Sequence, residues 1–154
     1  MSKLAQLPDA PLEQILPQLV QCLKLPSSHA RTTTDSDGTC DLMRFLLERA
    51  LLNPTYVGCS LFWVLRSEMS KGGRTAARHG ALLAAYLGAV GSSMRIEHEK
   101  QVVLDSQLRR IARGASELDD KQQRTAYAHR ELRRLTRAGE LPTGMDLCVR
   151  SVWS

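Results

Sequence analysis

The sequence contains few aromatic residues and no long apolar run. Phe, Trp and Tyr make up only 5% of its 154 residues. The longest apolar stretch runs from Ala81 to Val90, whereas a membrane-spanning helix needs about 20 such residues. The first 20 residues show no cleavable leader pattern, because they include Asp9 and Glu13 and lack a small-residue cleavage site after an apolar core. We therefore expect a soluble, cytoplasmic protein, peripheral to membranes at most.

Paired metal ligands are also lacking. The four cysteines form no C-x-x-C pair and the four histidines are dispersed. A structural zinc site usually draws its ligands from two close pairs. We therefore predict no metal site, and thiols that stay reduced. The residues concerned are Cys22, Cys40, Cys59, Cys148, His29, His79, His98 and His129.

Motifs for phosphoryl transfer are absent as well. The P-loop pattern does not occur, and Gly88-Ala-Val-Gly91 lacks its lysine and follows a helical pattern. No D-F-G or H-R-D-like loop is found, and the five lysines fall in predicted loops or helices rather than on a strand. We predict no catalytic, cofactor-binding or metal-binding residue in this chain. The paired acids Asp119 and Asp120 are read as helix-capping residues.

What the sequence does contain is helical periodicity. Ala, Leu and Arg are abundant, and six segments carry apolar residues at helical spacing. The predicted fold is all-α, an α–α superhelix of antiparallel helix pairs of the HEAT or armadillo type. The six helices are expected to begin at Pro11, Leu42, Thr55, Thr75, Met94 and after Asp120, and the last five to end near Leu52, Met69, Val90, Leu118 and Ala138.

One detail of this helical pattern is irregular. Pro17 falls inside the first helical segment, so we expect either a kink there or a helix that begins near Leu16.

Two apolar stripes are predicted to face the core, with Trp63 on the flank of the first. They consist of Gly58, Leu61, Phe62, Leu65 and Met69 in the third helix, and of Leu104, Leu108, Ile111, Ala115 and Leu118 in the fifth.

The predicted domain organisation has three parts. Residues 1–11 form an N-terminal flank, and residues 12–138 form the helical domain, with a loop at 26–40 rich in Ser, Thr, Asp and Gly. Residues 139–154 are expected to be a linker followed by a strand-like segment. In that segment Leu147, Val149 and Val152 are interspersed with Cys148, Arg150 and Ser151, which resembles the apolar–polar alternation of a strand.

Basic residues are concentrated in the second half of the chain. Residues 1–70 hold 6 basic and 7 acidic residues, and residues 71–154 hold 15 and 9, giving net charges of −1 and +6. Such a half could face anionic lipid, nucleic acid or an acidic partner, or could simply be solvated. Its most basic segment, Arg124 to Arg137, lacks the apolar face of an interfacial helix. Without stacking aromatics, we expect no nucleic-acid binding.

Three stretches of the chain carry a family resemblance: Leu16-Pro-Gln-Leu-Val-Gln-Cys-Leu-Lys24, Arg44-Phe-Leu-Leu-Glu-Arg-Ala-Leu-Leu-Asn53 and Leu61-Phe-Trp-Val-Leu-Arg-Ser-Glu-Met69. They resemble the helical domain of the phosphoinositide 3-kinases, and the Arg-Ser-Glu ending of the third stretch is closest to classes I and II. The positions that carry the resemblance are Gln18, Leu19, Val20, Gln21, Leu23, Lys24, Arg44, Phe45, Leu46, Leu47, Arg49, Ala50, Leu51, Leu61, Phe62, Trp63, Leu65, Arg66, Ser67, Glu68 and Met69. All are expected to have structural roles.

The resemblance implies a scaffold. In that family the helical domain supports kinase, C2 and Ras-binding modules of the parent chain and can contact a regulatory subunit. The complete enzyme uses ATP and Mg to phosphorylate the inositol 3-hydroxyl of phosphoinositides and associates transiently with membranes. Its catalytic lobes would follow the end of this chain, so this chain alone is expected to be inactive. The segment 26–40 is longer than the family's linker, and Pro17 replaces an apolar residue.

Two other functions remain open at this point. One is a stand-alone helical-repeat adaptor that binds other proteins. The second is a basic helical module that binds anionic membranes, for which steep salt dependence would be expected.

Overall fold

The computed structural model describes residues 4, 6–23 and 41–141. Those residues form six α-helices and one π-helical turn, with no β-strand among them, so the predicted all-α class is confirmed. The elements are α1 (Asp9–Cys22), α2 (Asp41–Leu52), the π-helical turn (Pro54–Gly58), α3 (Cys59–Ser70), α4 (Ala76–Ala89), α5 (Ser92–Ser116) and α6 (Lys121–Arg137).

Helix α1 is continuous through Pro17. It begins at Asp9 after Pro8, and the Leu12 N–H donates to the Pro8 carbonyl at 3.1 Å. The alternative of a helix starting near Leu16 is therefore wrong. Its buried side is formed by Leu12, Leu16 and Val20, which are fully buried. Pro17 lies on the exposed side, so its ring does not interrupt the buried stripe.

The predicted third helix consists of two elements. Asn53 leaves the helical conformation, with φ −135° and ψ 76°, so α2 ends at Leu52, where the sequence predicted its end. The chain then forms a π-helical turn, in which the Gly58 N–H donates to the Asn53 carbonyl five residues earlier at 3.0 Å. An α-helix from Thr55 was therefore wrong at its start. Pro54, which lacks an N–H, occupies the first turn.

Helices α1 to α4 form one compact unit, which among the described residues extends to Met94. Helix α1 packs on α3, α2 packs on α4, and α3 also packs on α4. Contacts between elements two apart in the chain are typical of stacked helix pairs. The core of this unit is built from Leu12, Leu16, Val20, Leu23, Phe45, Leu46, Ala50, Val57, Cys59, Leu61, Phe62, Leu65, Leu82, Leu83 and Tyr86.

Glycines end the helices where the sequence predicted. Gly72 and Gly73 follow α3, Gly91 follows α4 and Gly139 follows α6, all with positive φ. At Gly73 and Gly91 the φ angles are 97° and 87°, values that L-residues with a Cβ rarely adopt. These two turns therefore require glycine.

The second unit comprises residues 95–141 of the described chain and contains most of α5 and all of α6. Ile111 and Leu135 are buried in it. The prediction that Leu108 faces the core is wrong, because its side chain is 41% exposed. Leu108 lies at the edge of the α5 stripe, and α6 is the only other helix described in this unit. The buried strip of α5 is therefore narrower than the apolar stripe predicted from the sequence.

Met69 was likewise predicted to face the core and is 37% exposed, because it lies in the last turn of α3. Several predictions fall outside the described residues. They concern Lys24, the loop at 26–40 and the strand-like residues Leu147, Val149 and Val152. The proposed domain boundaries therefore remain predictions.

Candidate functional site

The residues singled out from the sequence separate into two sets. One set is buried between helices α1 to α4 and comprises Val20, Leu23, Phe45, Leu46, Ala50, Leu61, Phe62, Leu65 and Glu68. The second set is half-buried or exposed and comprises Gln18, Leu19, Gln21, Arg44, Leu47, Arg49, Leu51, Trp63, Arg66, Ser67 and Met69. The structure thus brings together buried apolar residues from all three stretches.

A polar cluster joins α1 to α2. The Asp9 carboxylate accepts a short hydrogen bond from the Arg49 guanidinium, and its other oxygen accepts one from the Asn53 amide at 2.8 Å. The hydrogen bonds from Asn53 and Arg49 lower the pKa of Asp9, although desolvation opposes them. The carboxylate therefore stays charged and keeps both partners.

A second polar contact joins α1 to α3. The Ser60 hydroxyl donates to the Glu13 carboxylate at 2.6 Å. Glu13 and Ser60 are both half-buried. The buried stripe of α1 is thus flanked by hydrogen bonds to two different helices, which fixes its position along α3 as well as its distance from it.

The C-terminal ends of α1 and α3 are also held by charged groups. The Arg78 guanidinium of α4 donates to the Leu23 carbonyl at 3.2 Å, just beyond the end of α1. The Glu68 carboxylate, which is 5% exposed, accepts a hydrogen bond from Lys71 at 2.6 Å. Because a buried carboxylate is costly unless it is paired, the contact with Lys71 offsets part of the cost of burying Glu68.

Aromatic groups pack along the third stretch. The rings of Phe62 and Trp63 meet edge to face, with centroids 5.4 Å apart. The Arg66 guanidinium lies over the Phe62 ring, 5.6 Å from its centroid. This cation–π contact covers part of a ring that is only 3% exposed. Arg66 therefore shields the core, although its own side chain is exposed.

Tyr86 packs against the π-helical turn. A Cβ at Gly58 would overlap the Tyr86 hydroxyl and would lie 2.9 Å from the Ala50 carbonyl oxygen. Burial raises the pKa of the Tyr86 hydroxyl, so it stays protonated. Only a glycine at position 58 lets α2, α4 and the turn approach this closely.

Sequence reasoning missed these polar contacts. Asp9, Glu13, Asn53 and Ser60 are separated from their partners by 40 or more residues. A single sequence carries no signal for such pairing. Of the motif set, only Arg49 takes part in the cluster on Asp9.

The described residues contain no group of three or more His, Cys, Asp or Glu side chains placed to hold a metal ion. Within residues 4, 6–23 and 41–141 there is also no helix with the length and apolar character needed to cross a bilayer. What helices α1 to α4 provide is one compact unit, held by an apolar core and by polar contacts at its edges.

Residues 1–99 match the family model of the phosphoinositide 3-kinase family accessory domain, the PIK domain. The chain belongs to this family. It is also similar to phosphatidylinositol 3-kinase 2 of Dictyostelium discoideum, with 32% identity over 100 residues. That alignment covers 65% of this chain and 5% of the relative. The chain therefore corresponds to a helical accessory domain of a lipid kinase, and spans a small part of the curated relative's length.

The PIK-domain match extends over α1 to α4 and into α5. It includes all three motif stretches and both partners of every polar contact described above. Helix α6 lies beyond it. The resemblance derived from the three stretches is confirmed at the level of the family.

Proposed function

We propose that this PIK domain acts as the rigid helical support of a phosphatidylinositol 3-kinase and positions the kinase, C2 and Ras-binding modules of a parent chain. The observation that carries the proposal is the overlap between the family match and the core of α1 to α4. The buried members of the motif set, which come from all three stretches, pack these helices together.

The exposed motif residues support a docking role. Gln18 and Gln21 lie three residues apart on α1, so they share one face, and both are exposed. Neither side chain makes a hydrogen bond to another described residue. Since they contribute nothing to the core, we assign their role to contacts with a neighbouring module or with a regulatory subunit.

For the complete enzyme we propose the family's reaction, phosphorylation of the inositol 3-hydroxyl of phosphoinositides with ATP and Mg. The kinase module would supply the catalytic groups. The complete enzyme would be cytoplasmic and would associate transiently with membranes. The Dictyostelium relative's name supports the phosphatidylinositol specificity, and the share of its length matched here leaves ample chain for a kinase module.

A domain exchange tests this function. Residues 1–99 would replace the aligned segment in the Dictyostelium phosphatidylinositol 3-kinase 2, and lipid 3-kinase activity would be measured with ATP and phosphatidylinositol vesicles. We expect the exchanged enzyme to keep its activity, and a version with the segment deleted to lose it. In the exchanged enzyme, Gln18→Ala with Gln21→Ala should lower activity without lowering the melting temperature.

Two results would contradict the proposal. One is an exchanged enzyme that purifies as a folded monodisperse protein but has no more activity than the deletion. The second is lipid kinase activity from the 154-residue chain alone, which would require a catalytic centre within it. A separate adaptor function would be favoured if the exchanged enzyme were inactive while the 154-residue chain bound another folded protein.

A further inference from the structure

Helix α6 carries a strongly basic outer face. Six of its residues are basic and only one, Glu131, is acidic. One side of the helix is covered, since Leu135 is buried and Tyr127, Ala128, Glu131 and Leu132 are half-buried. Three arginines lie on the opposite side, at i, i+3 and i+7, and all three are exposed. They are Arg130, Arg133 and Arg137.

The remaining arginines of α6 are used within the unit. The Arg124 guanidinium donates to the carbonyls of Leu118 and Asp119, at 2.6 and 3.2 Å, just beyond the end of α5. Arg134 forms ion pairs with Glu131 and Glu140, both at 3.2 Å. The side chains of Arg124 and Arg134 therefore have structural roles within this unit.

Arg133 and Arg137 have no such use. Neither forms a hydrogen bond or an ion pair with any residue in the described ranges. Arg130 stacks on Tyr127, 5.3 Å from the ring centroid, and lies 3.7 Å from Glu131, which leaves its side chain 71% exposed. The three guanidiniums span about 10 Å along the helix and face solvent.

We propose that this face, Arg130, Arg133 and Arg137, binds the anionic headgroups of a membrane. The proposal draws on the proposed function, because a phosphoinositide kinase acts on a lipid in an anionic surface. It goes further in assigning a membrane contact to a helix that lies outside the PIK-domain match. The contact is electrostatic, and α6 lies on the headgroups without inserting into the acyl chains.

The chemistry of the face favours lipid over protein. Protein interfaces draw most of their affinity from buried aromatic and aliphatic anchors. Among the described residues, none of the large exposed apolar side chains belongs to α6. A headgroup layer requires only charge, and each basic residue near it contributes to attraction. Nucleic-acid binding is disfavoured because Tyr127, the aromatic residue of α6, is half-buried beneath Arg130.

Vesicle sedimentation of the 154-residue chain tests the proposal. The vesicles would be phosphatidylcholine alone, or phosphatidylcholine with about 30% phosphatidylserine, at low and physiological salt. We expect binding to the anionic vesicles only, weakened by salt. Replacing Arg133 and Arg137 by Gln should lower the partition coefficient about 30-fold, or about fivefold for each residue.

The matched control is Arg110→Gln with Arg113→Gln. Both residues are exposed on α5 and also form no ion pair among the described residues, so the loss of charge is the same. Gln is a good helix former, and circular dichroism would verify that both variants fold. We expect the control pair to bind anionic vesicles within about threefold of the parent chain, since these arginines belong to α5 and not to the proposed face.

Three outcomes would overturn the proposal. One is no binding to anionic vesicles at low salt. Another is an equal loss from both variant pairs, which would mean that net charge and not this face is responsible. The third is tighter binding to a polyglutamate peptide than to the vesicles, which would identify an acidic protein segment as the partner. Because the domain exchange ends at residue 99, before α6, its outcome is independent of this one.

Discussion

The carboxylate of Asp9, in the first turn of α1, forms an ion pair with the guanidinium of Arg49, in the last turn of α2. The two residues are 40 apart in sequence. Asn53 completes the site from the residue that ends α2. This small cluster connects two helices of the PIK domain through side chains alone, and its stability depends on the charge of one carboxylate.

That dependence predicts acid sensitivity. The pKa of Asp9 in the folded chain lies below its unfolded value of about 3.9. The contact therefore stabilises the fold above about pH 4, and this contribution is lost as the pH falls through the folded-state pKa. Asp9→Asn should lower the urea midpoint at neutral pH and should lose less of it on acidification than the parent chain does.

The control for this prediction is Glu48→Gln, because Glu48 is an exposed carboxylate of α2 without a partner among the described residues. It should leave the urea midpoint and its pH dependence nearly unchanged. If Asp9→Asn and the parent chain lost the same stability between neutral pH and about pH 3, the ion pair would not contribute as described.

Gly58→Ala should destabilise the fold by about 1–3 kcal/mol, because the added Cβ would overlap the Tyr86 hydroxyl and crowd the Ala50 carbonyl. Combining it with Tyr86→Phe should cost less than the sum of the two single changes, since removing the hydroxyl relieves part of the overlap. Chemical denaturation of the four proteins measures the coupling.

Gly88→Ala is the matched glycine control. Gly88 lies in the same helix as Tyr86, and a Cβ there meets nothing within 4 Å. This change should stabilise the chain by about 0.5–1 kcal/mol, because Ala loses less entropy than Gly in a helix. A Gly58→Ala variant as stable as Gly88→Ala would contradict the packing of Tyr86 on the π-helical turn.

Phe62→Ala should cost about 3–5 kcal/mol, since Phe62 is 3% exposed in the centre of α3. Leu52→Ala removes a large apolar side chain at a position that is 80% exposed, and should change stability by less than about 0.5 kcal/mol. Thermal denaturation of both variants checks the assignment. Similar melting temperatures for the two variants would show that the buried face of α3 has been assigned incorrectly.

Asp120→Ala should destabilise α6 by about 0.5–2 kcal/mol, because the Asp120 carboxylate caps the helix by accepting a hydrogen bond from the Gln123 N–H at 2.8 Å. The neighbouring Asp119→Ala removes an equal charge from a side chain with no such bond, and should cost less. Helicity and melting temperature by circular dichroism distinguish them. An equal effect of both changes would point to charge near the helix end in place of capping.

Much of the helical framework follows from the sequence. Helix α2 was predicted within one residue at its start, and the end of α6 within one residue, because Asp41, Asn53-Pro54 and Gly139 are strong local signals. Asp120 was correctly read as a capping residue. Such features depend on neighbours along the chain, so a single sequence is enough to find them.

Features set by tertiary packing were not predictable in the same way. The π-helical turn depends on how closely Gly58 can approach Tyr86 and Ala50 from other helices. The burial of Leu108 depends on how much of α5 its neighbour covers, which periodicity along α5 does not reveal. Pro17 is accommodated because it lies on the exposed side of α1, a fact known only once the buried side is known.

The cluster on Asp9 has a consequence for how this domain tolerates change in chain length. Asp9 in α1 accepts hydrogen bonds from Arg49 and Asn53 at the end of α2, so these contacts hold the two helices together independently of the segment that joins them. For a flexible segment that joins two fixed helices, doubling its number of residues costs only about 0.6 kcal/mol of closure entropy. Insertions and deletions between Leu23 and Asp41 should therefore accumulate among relatives while the helices on either side keep their places.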